Sequence, residues 1–410
     1  MRISRLICYL LVLCFSLSSA AGKVFAGDLL IERLQEKGIL TEQDAKDIEK
    51  KQKGIAGIEL GATAYIDYSA GKTLDKGKQT SYNKFDLTRG YVTVKKKVNP
   101  WLTTRATLDL KQETKTTGAD LSESYVTRFK YYYAEFKLPD FDMLTNNKSE
   151  VGMGHMPWLD FEEHINPYRC QGTMFQERFG MFSSADLGGS LMGYLGGEMD
   201  DEYQKKVSKD YAGQYGSYHI GIYNGGGYHS KEKNNNKVME YRMTVRPAPD
   251  VLPGLQFTYF GLNGDGNQTS TTAGEIPDWN LNTGFVSFQD EYFTLTGEVM
   301  SGEGNQKGDW VKTGTTDSRK VDGYSLFGFA RIPGAEALRV HARYDVFDPD
   351  DSASEDEANL TIVGFSYDIY GKNMIMLNYE TCEYEKNHSK VKGGNEDQEE
   401  KIQVVCQLNY

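Results

Sequence analysis

The chain has 410 residues and a net charge of −12, and only 39% of its residues are hydrophobic although 12% are aromatic. This acidic balance argues against a general nucleic-acid-binding protein, which needs basic patches for the phosphate backbone. After Ala26 no apolar run reaches the roughly 18 residues of a membrane-spanning helix, so any membrane crossing would use strands.

The N-terminus has the pattern of a secretory signal. Arg2 and Arg5 precede an apolar stretch from Leu6 to Leu17, and Val24-Phe25-Ala26 provides a cleavage site. We therefore expect residues 1–26 to be a signal peptide and the mature protein to be exported. The sequence contains no Cys-x-x-Cys-His motif, so it attaches no c-type haem, and we expect no cofactor.

Residues 27–54 differ from everything that follows. Leu29, Leu30 and Leu34 have helical spacing, Gly38 interrupts the run, and Thr41 with Asp44 resembles a capping box. The pattern predicts a short helical segment, which we place in the periplasm. It is too short to be stable alone.

From residue 55 to 410 the apolar residues recur with a period of two. About sixteen segments of roughly ten residues have this pattern, which suits strands with one face on lipid and the other on a lumen. In the last segment Ile402, Val404 and Leu408 share one face, and Gln403 and Gln407 share the other. A C-terminal aromatic residue, Tyr410, is typical of the closing strand of an outer-membrane barrel.

The connections between these segments alternate between long loops and short turns. Long loops follow odd strands, as expected if the N-terminus is periplasmic, and the exception is Glu198 to Gln214, which is long where a turn is expected. A soluble β-sandwich would not place its long loops on one side so regularly. The sequence thus predicts an all-β fold, a transmembrane antiparallel β-barrel of about 16 strands with a short N-terminal helical segment, in the bacterial outer membrane.

Strand alternation also identifies side chains that face the lumen. Basic residues recur on this face, and they are Arg89, Arg105, Arg242, Arg246, Arg339, His341 and Arg343. Such columns could guide anions along the wall. Acidic residues share the same face, so a pore of mixed charge remains the alternative.

The loop after the fifth strand differs from the other loops. It contains Phe161, Ile165 and Phe175, which a loop surrounded by water would not need. We predict that it folds inward and that four of its charged residues line a constriction, namely Glu162, Glu163, Arg169 and Arg178. Packing on the rim or on a neighbouring subunit is the alternative.

Other site types receive less support. His155, Glu162, Glu163 and His164 lack the spacing of a metal site, and no nucleophile–base set indicates an enzyme. Whether Cys170 and Cys382 pair is left open.

The signal, the Leu-Leu-x-x-x-Leu segment from Leu29, the stretch Phe85–Val94 with Arg89, the loop after strand five and the C-terminal aromatic together resemble phosphate-selective porins of the O/P type. This resemblance implies a 16-stranded porin, usually a homotrimer, that lets small ions or solutes diffuse passively through a water-filled channel. The acidic residues of the loop depart from the arginine- and lysine-rich constriction of that family, which leaves the solute open.

A different class of function remains. Some similar barrels are sheaths that hold a multihaem cytochrome within the outer membrane, and the missing haem motifs are compatible with such a role. A sheath should lack a constriction loop, whereas this sequence predicts one.

Overall fold

The computed structural model describes residues 34–35, 37–41, 43–44, 54–55, 57–112, 124–269 and 275–410. The chain divides into two units, Met1–Leu60 and Gly61–Tyr410. The predicted signal peptide lies outside the described residues.

In the first unit, Thr41 and Asp44 have the geometry of a capping box. The backbone N–H of Asp44 donates to Thr41 Oγ1 at 3.0 Å, and the N–H of Thr41 donates to Asp44 Oδ2 at 3.0 Å. Gly38 has a φ of 66°, a left-handed conformation that glycine adopts at no steric cost. The periplasmic role of this segment stays a prediction.

The strands β1–β17 have the following bounds: Gly54–Ile55, Ile58–Asp75, Lys78–Asn99, Leu102–Gln112, Tyr125–Lys137, Leu144–His155, Ala185–Leu195, Gly216–Tyr223, Val238–Val245, Leu255–Asp265, Asp278–Gln289, Phe293–Glu303, Lys320–Ile332, Ala335–Asp348, Ala358–Tyr370, Asn373–Tyr384 and Gln398–Asn409. Within Gly61–Tyr410 the described residues include three short helices, α1 Leu159–Ile165, α2 Phe175–Arg178 and α3 Asp201–Lys206. None of the helices described in the structure is long and apolar enough to cross a membrane.

Sixteen of these strands, β2 to β17, form a closed antiparallel barrel. Each strand hydrogen-bonds to its neighbours in sequence, including β9 with β10, and β17 pairs with β2 to complete the ring. The predicted fold class and strand number are therefore confirmed. Closure of the barrel leaves no strand edge unpaired, and a sheet that spans a membrane must have every edge paired.

The alternation of side chains follows the prediction on most strands. On β14, Val340 and Tyr344 are each 38% exposed on the outer face, whereas Arg343 and Asp345 are 6% and 0% exposed. On β17, Val405 is fully buried and shares the inner face with Gln403. Val405 is the one apolar residue among the polar residues of this face, and it lies inside the barrel.

The alternation of connections predicts residues 69–84 as the first long loop, and this prediction is wrong. β2 and β3 continue through it as a long hairpin, with a turn at Lys76 and Gly77. Both turn residues have positive φ, 48° and 66°, which matches a two-residue type I′ turn and the right-handed twist of the strands.

The long connection between β7 and β8 is a real insertion. Residues 196–215, called the β7–β8 segment below, contain α3. Asp200 caps this helix by accepting a hydrogen bond from the N–H of Tyr203 at 2.8 Å. The deviation from alternating loop lengths therefore marked an additional element.

Candidate pore and constriction

The loop between β6 and β7, residues 156–184, folds into the barrel and is called the inward loop below. Its side chains Trp158, Phe161 and Phe175 are all fully buried. The Trp158 ring lies 5.4 Å from Phe260 of β10 and 5.4 Å from Phe285 of β11, measured between ring centroids. The apolar residues of this loop therefore pack on the inner wall.

One side of the barrel is built to receive this loop. We call it the filled half, meaning the inner faces of β8–β14 with the loop packed on them. Its wall contributes apolar residues to one core, and they are Tyr223, Val238, Phe260, Leu262, Trp279, Leu281, Phe285, Met300, Val321 and Phe347. Burial of such a surface is the main force that holds the loop in the lumen.

Polar contacts fix the register of the loop within the filled half. Arg242 Nε donates to the carbonyl of Pro157 at 3.1 Å, and Arg343 Nη1 donates to the carbonyl of Thr173 at 2.9 Å. Gln176 Nε2 donates to Glu298 at 2.6 Å. Backbone carbonyls of an irregular loop are thereby satisfied away from water.

Five of the predicted pore-lining residues require correction because they are buried, four of them between the inward loop and its wall and Arg246 under the β7–β8 segment. Their exposed fractions are 6% for Glu162, 1% for Arg242, 2% for Arg246, 6% for His341 and 6% for Arg343. The inward facing of the four wall residues follows strand alternation, but their cover comes from segments distant in sequence, which alternation does not reveal.

Each covered residue has a structural partner or a dry environment. Arg246 Nη1 donates to the hydroxyl of Tyr203 at 2.9 Å, His341 bonds to Asn378 at 2.9 Å, and Arg343 lies 2.7 Å from Asp345. Glu162 belongs to the loop. Its burial, and then the nearby carboxylate of Glu298, raise its pKa well above the usual value.

The opposite side, the inner faces of β2–β6, is called the charged half. Asp109 of β4 is fully buried and is bonded by two arginines, Arg89 at 3.0 Å and Arg128 at 2.9 Å. Arg105 donates to Thr107 Oγ1 at 3.0 Å. Arg89 and Arg105 therefore lie on the inner face, where the sequence predicted them.

The inward loop presents charged groups to this half. Arg169 Nε donates to Glu163 at 2.9 Å, and its Nη2 lies 3.4 Å from Glu177. Burial alone would lower the pKa of Arg169, but Glu177, Tyr91 and Glu163 raise it. Asp160 accepts a hydrogen bond from Tyr211 at 2.5 Å.

Three cavities surround these groups. A cavity of about 620 Å³ is lined by Tyr65, Arg89 and Arg169, and one of about 350 Å³ is lined by Arg105, Tyr133 and Asp160. A vestibule of about 1090 Å³ is lined by Arg178, whose Nη1 lies 3.1 Å from Glu380. Arg339 is outside these three cavities and forms an ion pair with Asp368.

The four residues considered for a metal site are each engaged by other groups of the protein, and both histidines lie near the carboxylate of Asp160. His155 bonds to Glu150 at 2.9 Å, Glu163 to Arg169, and His164 to the carbonyl of Asp160 at 2.5 Å. Glu162 is on the other side of α1, next to Glu298. Cys170 and Cys382 are both free thiols.

Two further segments enter the lumen that were not predicted from the sequence. In the β7–β8 segment, Tyr211 packs its ring 5.1 Å from Phe161 of α1. In the loop between β8 and β9, Tyr228 accepts a hydrogen bond from Arg128 at 3.2 Å. The unusual length of the β7–β8 connection was the signal for the first, and the glycine run Gly225–Gly227 before Tyr228 was the signal for the second.

Lys130 of β5 is 5% exposed and lies in the charged half, a position that was also not predicted from the sequence. Thr107 of β4 pairs with Tyr131 and the next residue, Leu108, pairs with Phe129, so Lys130 is the extra residue of a β-bulge. A bulge shifts alternation by one position. Lys130 and Tyr131 consequently both point inward.

Neither a family model nor a curated protein matches the sequence. Several solved structures are similar to this chain in fold. An anion-selective porin from Comamonas acidovorans is 11% identical, with 86% of this chain and 100% of that chain covered and a TM-score of 0.55. OmpF of Salmonella typhi in complex with daunomycin is 12% identical, with 86% and 97% covered and a TM-score of 0.55. The outer-membrane channel DcaP of Acinetobacter baumannii is 10% identical, with 87% and 99% covered and a TM-score of 0.54. The chain therefore shares the barrel fold of these porins.

Proposed function

We propose that the protein is an outer-membrane porin through which small solutes diffuse passively, with a preference for anions. The observation that carries this proposal is the division of the lumen. The main apolar core fills one half, whereas charged groups, smaller aromatic clusters and two cavities occupy the other. A water-filled path needs such a polar wall. The likeness to solved porins supports the same function.

The balance of charge in the charged half supports the preference for anions. Asp109 is shared by two arginines, and Lys130 forms no ion pair with any residue that the structure describes. Rings of charge of one sign set the selectivity of narrow pores. Glu163 and Glu177 are both engaged by Arg169 and so contribute less negative field.

The sheath for a multihaem cytochrome receives less support. A sheath needs a lumen that admits a second protein, and residues 156–184 already occupy the filled half with buried aromatic side chains. The homotrimer and the export by a signal peptide stay predictions.

Conductance in a planar bilayer tests the proposal. The purified protein should conduct in KCl, and a salt gradient should give a reversal potential displaced toward that of chloride. A folded barrel without conductance would refute the channel, and a displacement toward potassium would refute the preference for anions.

Two matched variants test which part of the lumen sets the selectivity for chloride over potassium. Arg105→Gln removes a charge that lines a cavity, so the permeability ratio of chloride to potassium should fall. Arg339→Gln removes an inner-face charge that is paired with Asp368, and it should leave the ratio unchanged. Equal effects of the two variants would contradict the assignment of the path to the charged half.

A further inference from the structure

A lysine without a carboxylate partner stands in the charged half, at the bulge of β5. Lys130 is 5% exposed, and it neither donates a hydrogen bond nor forms an ion pair among the described residues. Its Nζ lies 5.0 Å from the ring centroid of Tyr91 and 5.3 Å from that of Tyr131. The bulge places it there, because regular alternation would direct either Lys130 or Tyr131 toward lipid.

A second cation approaches the same ring. The guanidinium carbon of Arg105 lies 4.5 Å from the ring centroid of Tyr131. Arg105 bonds to Thr107 and lies 3.2 Å from the imidazole of His155, but it forms no ion pair with a described carboxylate. Two positive charges therefore share one aromatic ring, and neither is neutralised directly.

These groups belong to a row whose two end residues line two different cavities. Tyr65 lines the cavity of about 620 Å³, and its ring is 6.2 Å from that of Tyr91. Arg105 lines the cavity of about 350 Å³. We call Tyr65, Tyr91, Lys130, Tyr131 and Arg105 the cation–tyrosine row.

We propose that the cation–tyrosine row is a binding site for small aromatic carboxylates on their way between the two cavities. This inference rests on the proposed function and names its solute class. The carboxylate would supply the partner that Lys130 lacks, and such a charge-assisted bond is stronger than a neutral one. The ring of the solute would lie against the tyrosine rings in edge or offset geometry.

The nearby acidic groups do not prevent such binding. Glu163 acts on Lys130 electrostatically, but its carboxylate accepts a hydrogen bond from Arg169 at 2.9 Å. Asp109 is bonded to Arg89 and Arg128. A solute must also leave the site, so a single ammonium with a few ring contacts suits transport better than a row of arginines would.

The test compares three probes on the full-length protein in planar bilayers. Benzoate should reduce the chloride current with a saturable dependence on concentration. Acetate has the charge without the ring and should act about fivefold more weakly, the factor expected from one aromatic contact. Benzyl alcohol has the ring without the charge and should also act more weakly, because it cannot form the charge-assisted bond to Lys130. Equal potency of benzoate and acetate would overturn the proposal.

Three variants separate binding from general charge. Lys130→Met should abolish the effect of benzoate, and Tyr91→Leu should weaken benzoate about fivefold while leaving acetate as weak as before. Lys390→Met is the matched control, because Lys390 Nζ also lies 5.1 Å from a tyrosine ring, that of Tyr384, but is bonded to Glu399 at 2.8 Å. Unchanged benzoate potency in Lys130→Met would refute the site.

Saturation-transfer NMR with benzoate and acetate on the detergent-solubilised protein distinguishes this inference from the proposed function. A barrel that does not conduct but transfers saturation to benzoate would refute the proposed channel and support the proposed binding site. A barrel that conducts anions but transfers saturation to neither benzoate nor acetate would refute the proposed binding site and support the channel.

Discussion

The filled half and the charged half of the lumen are built from the same kind of strand, yet they hold different contents. On β10 and β11, Phe260, Leu262 and Trp279 point inward and are completely covered. On β3 and β4, the inward residues include Arg89 and Asp109. The difference shows that the inner face of this barrel is not uniformly polar, because half of it serves as the wall of a hydrophobic core.

The two halves also use arginine for different purposes. In the filled half Arg242 is 1% exposed and bonds to a backbone carbonyl of the inward loop. In the charged half Arg105 lines a cavity. Facing the lumen is therefore not sufficient for contact with a solute, and the position of the inward loop decides which basic residues can act on ions.

Removal of Trp158 should have the largest effect on this division. Trp158→Ala deletes a fully buried ring from the core of the filled half, and we expect a loss of about 3–5 kcal/mol of stability. The loop should be released from the wall and the conductance should rise. Chemical unfolding in detergent and single-channel recording measure both quantities.

Trp101→Ala is the control for this prediction. Trp101 is 54% exposed outside the core, so its removal should change neither the unfolding midpoint nor the conductance strongly. Equal destabilisation by the two variants would mean that the filled half is not a core.

Replacing one arginine by alanine in each half tests the difference between the filled half and the charged half. Arg242→Ala removes hydrogen bonds to Pro157, Ser217 and Thr244, which should cost about 2–3 kcal/mol of stability with little change in ion selectivity. Arg105→Ala should lower the selectivity for anions at a smaller cost in stability. A change of selectivity in Arg242→Ala comparable to that in Arg105→Ala would contradict the division into two halves.

A dependence on pH should be the smallest of these effects. His164 of α1 lies 3.7 Å from Asp160 and 3.8 Å from Asp210 of the β7–β8 segment. Burial disfavours its protonation, but Asp160 and Asp210 outweigh burial and raise its pKa above the usual 6.5. The contribution of protonated His164 is thus fully present below about pH 6.5 and is lost as the pH rises through the raised pKa.

Current noise from the inward loop should consequently increase as the pH is raised from 6 toward 9. His164→Gln should remove this dependence, because glutamine does not titrate. A noise level in the native protein that stays constant over this range would show that His164 does not help to hold the loop.

Much of the fold could be predicted from the sequence because strand alternation and loop lengths are local patterns. The sixteen strands and the closing pair follow from them, and the apolar residues of the inward loop, such as Phe161, indicated that it needed a partner surface. That surface was also visible in principle, since Phe260 and Leu262 point inward on a strand whose outer face already carries Phe257 and Tyr259. A strand that is apolar on both faces must be covered on both.

The site could be predicted less well because its key positions break the local pattern. The bulge at Lys130 turns two consecutive residues inward, and alternation alone assigns only one of them to the lumen. The cover over Arg242 and Arg343 depends on contacts between residues far apart in sequence, such as Arg343 and Thr173. No periodicity within one strand contains that information.

The inward loop precedes in the chain most of the wall on which it packs. Residues 156–184 are complete before β10, β11 and β12 have been made, and their aromatic side chains have no surface to cover them until those strands are in place. Contacts between distant segments form late because a large loop must first be closed. Until then the chain exposes these apolar side chains, and closure of the barrel has to coincide with the internal docking of the loop. The incomplete chain should therefore be most prone to aggregation before the C-terminal half of the barrel is formed.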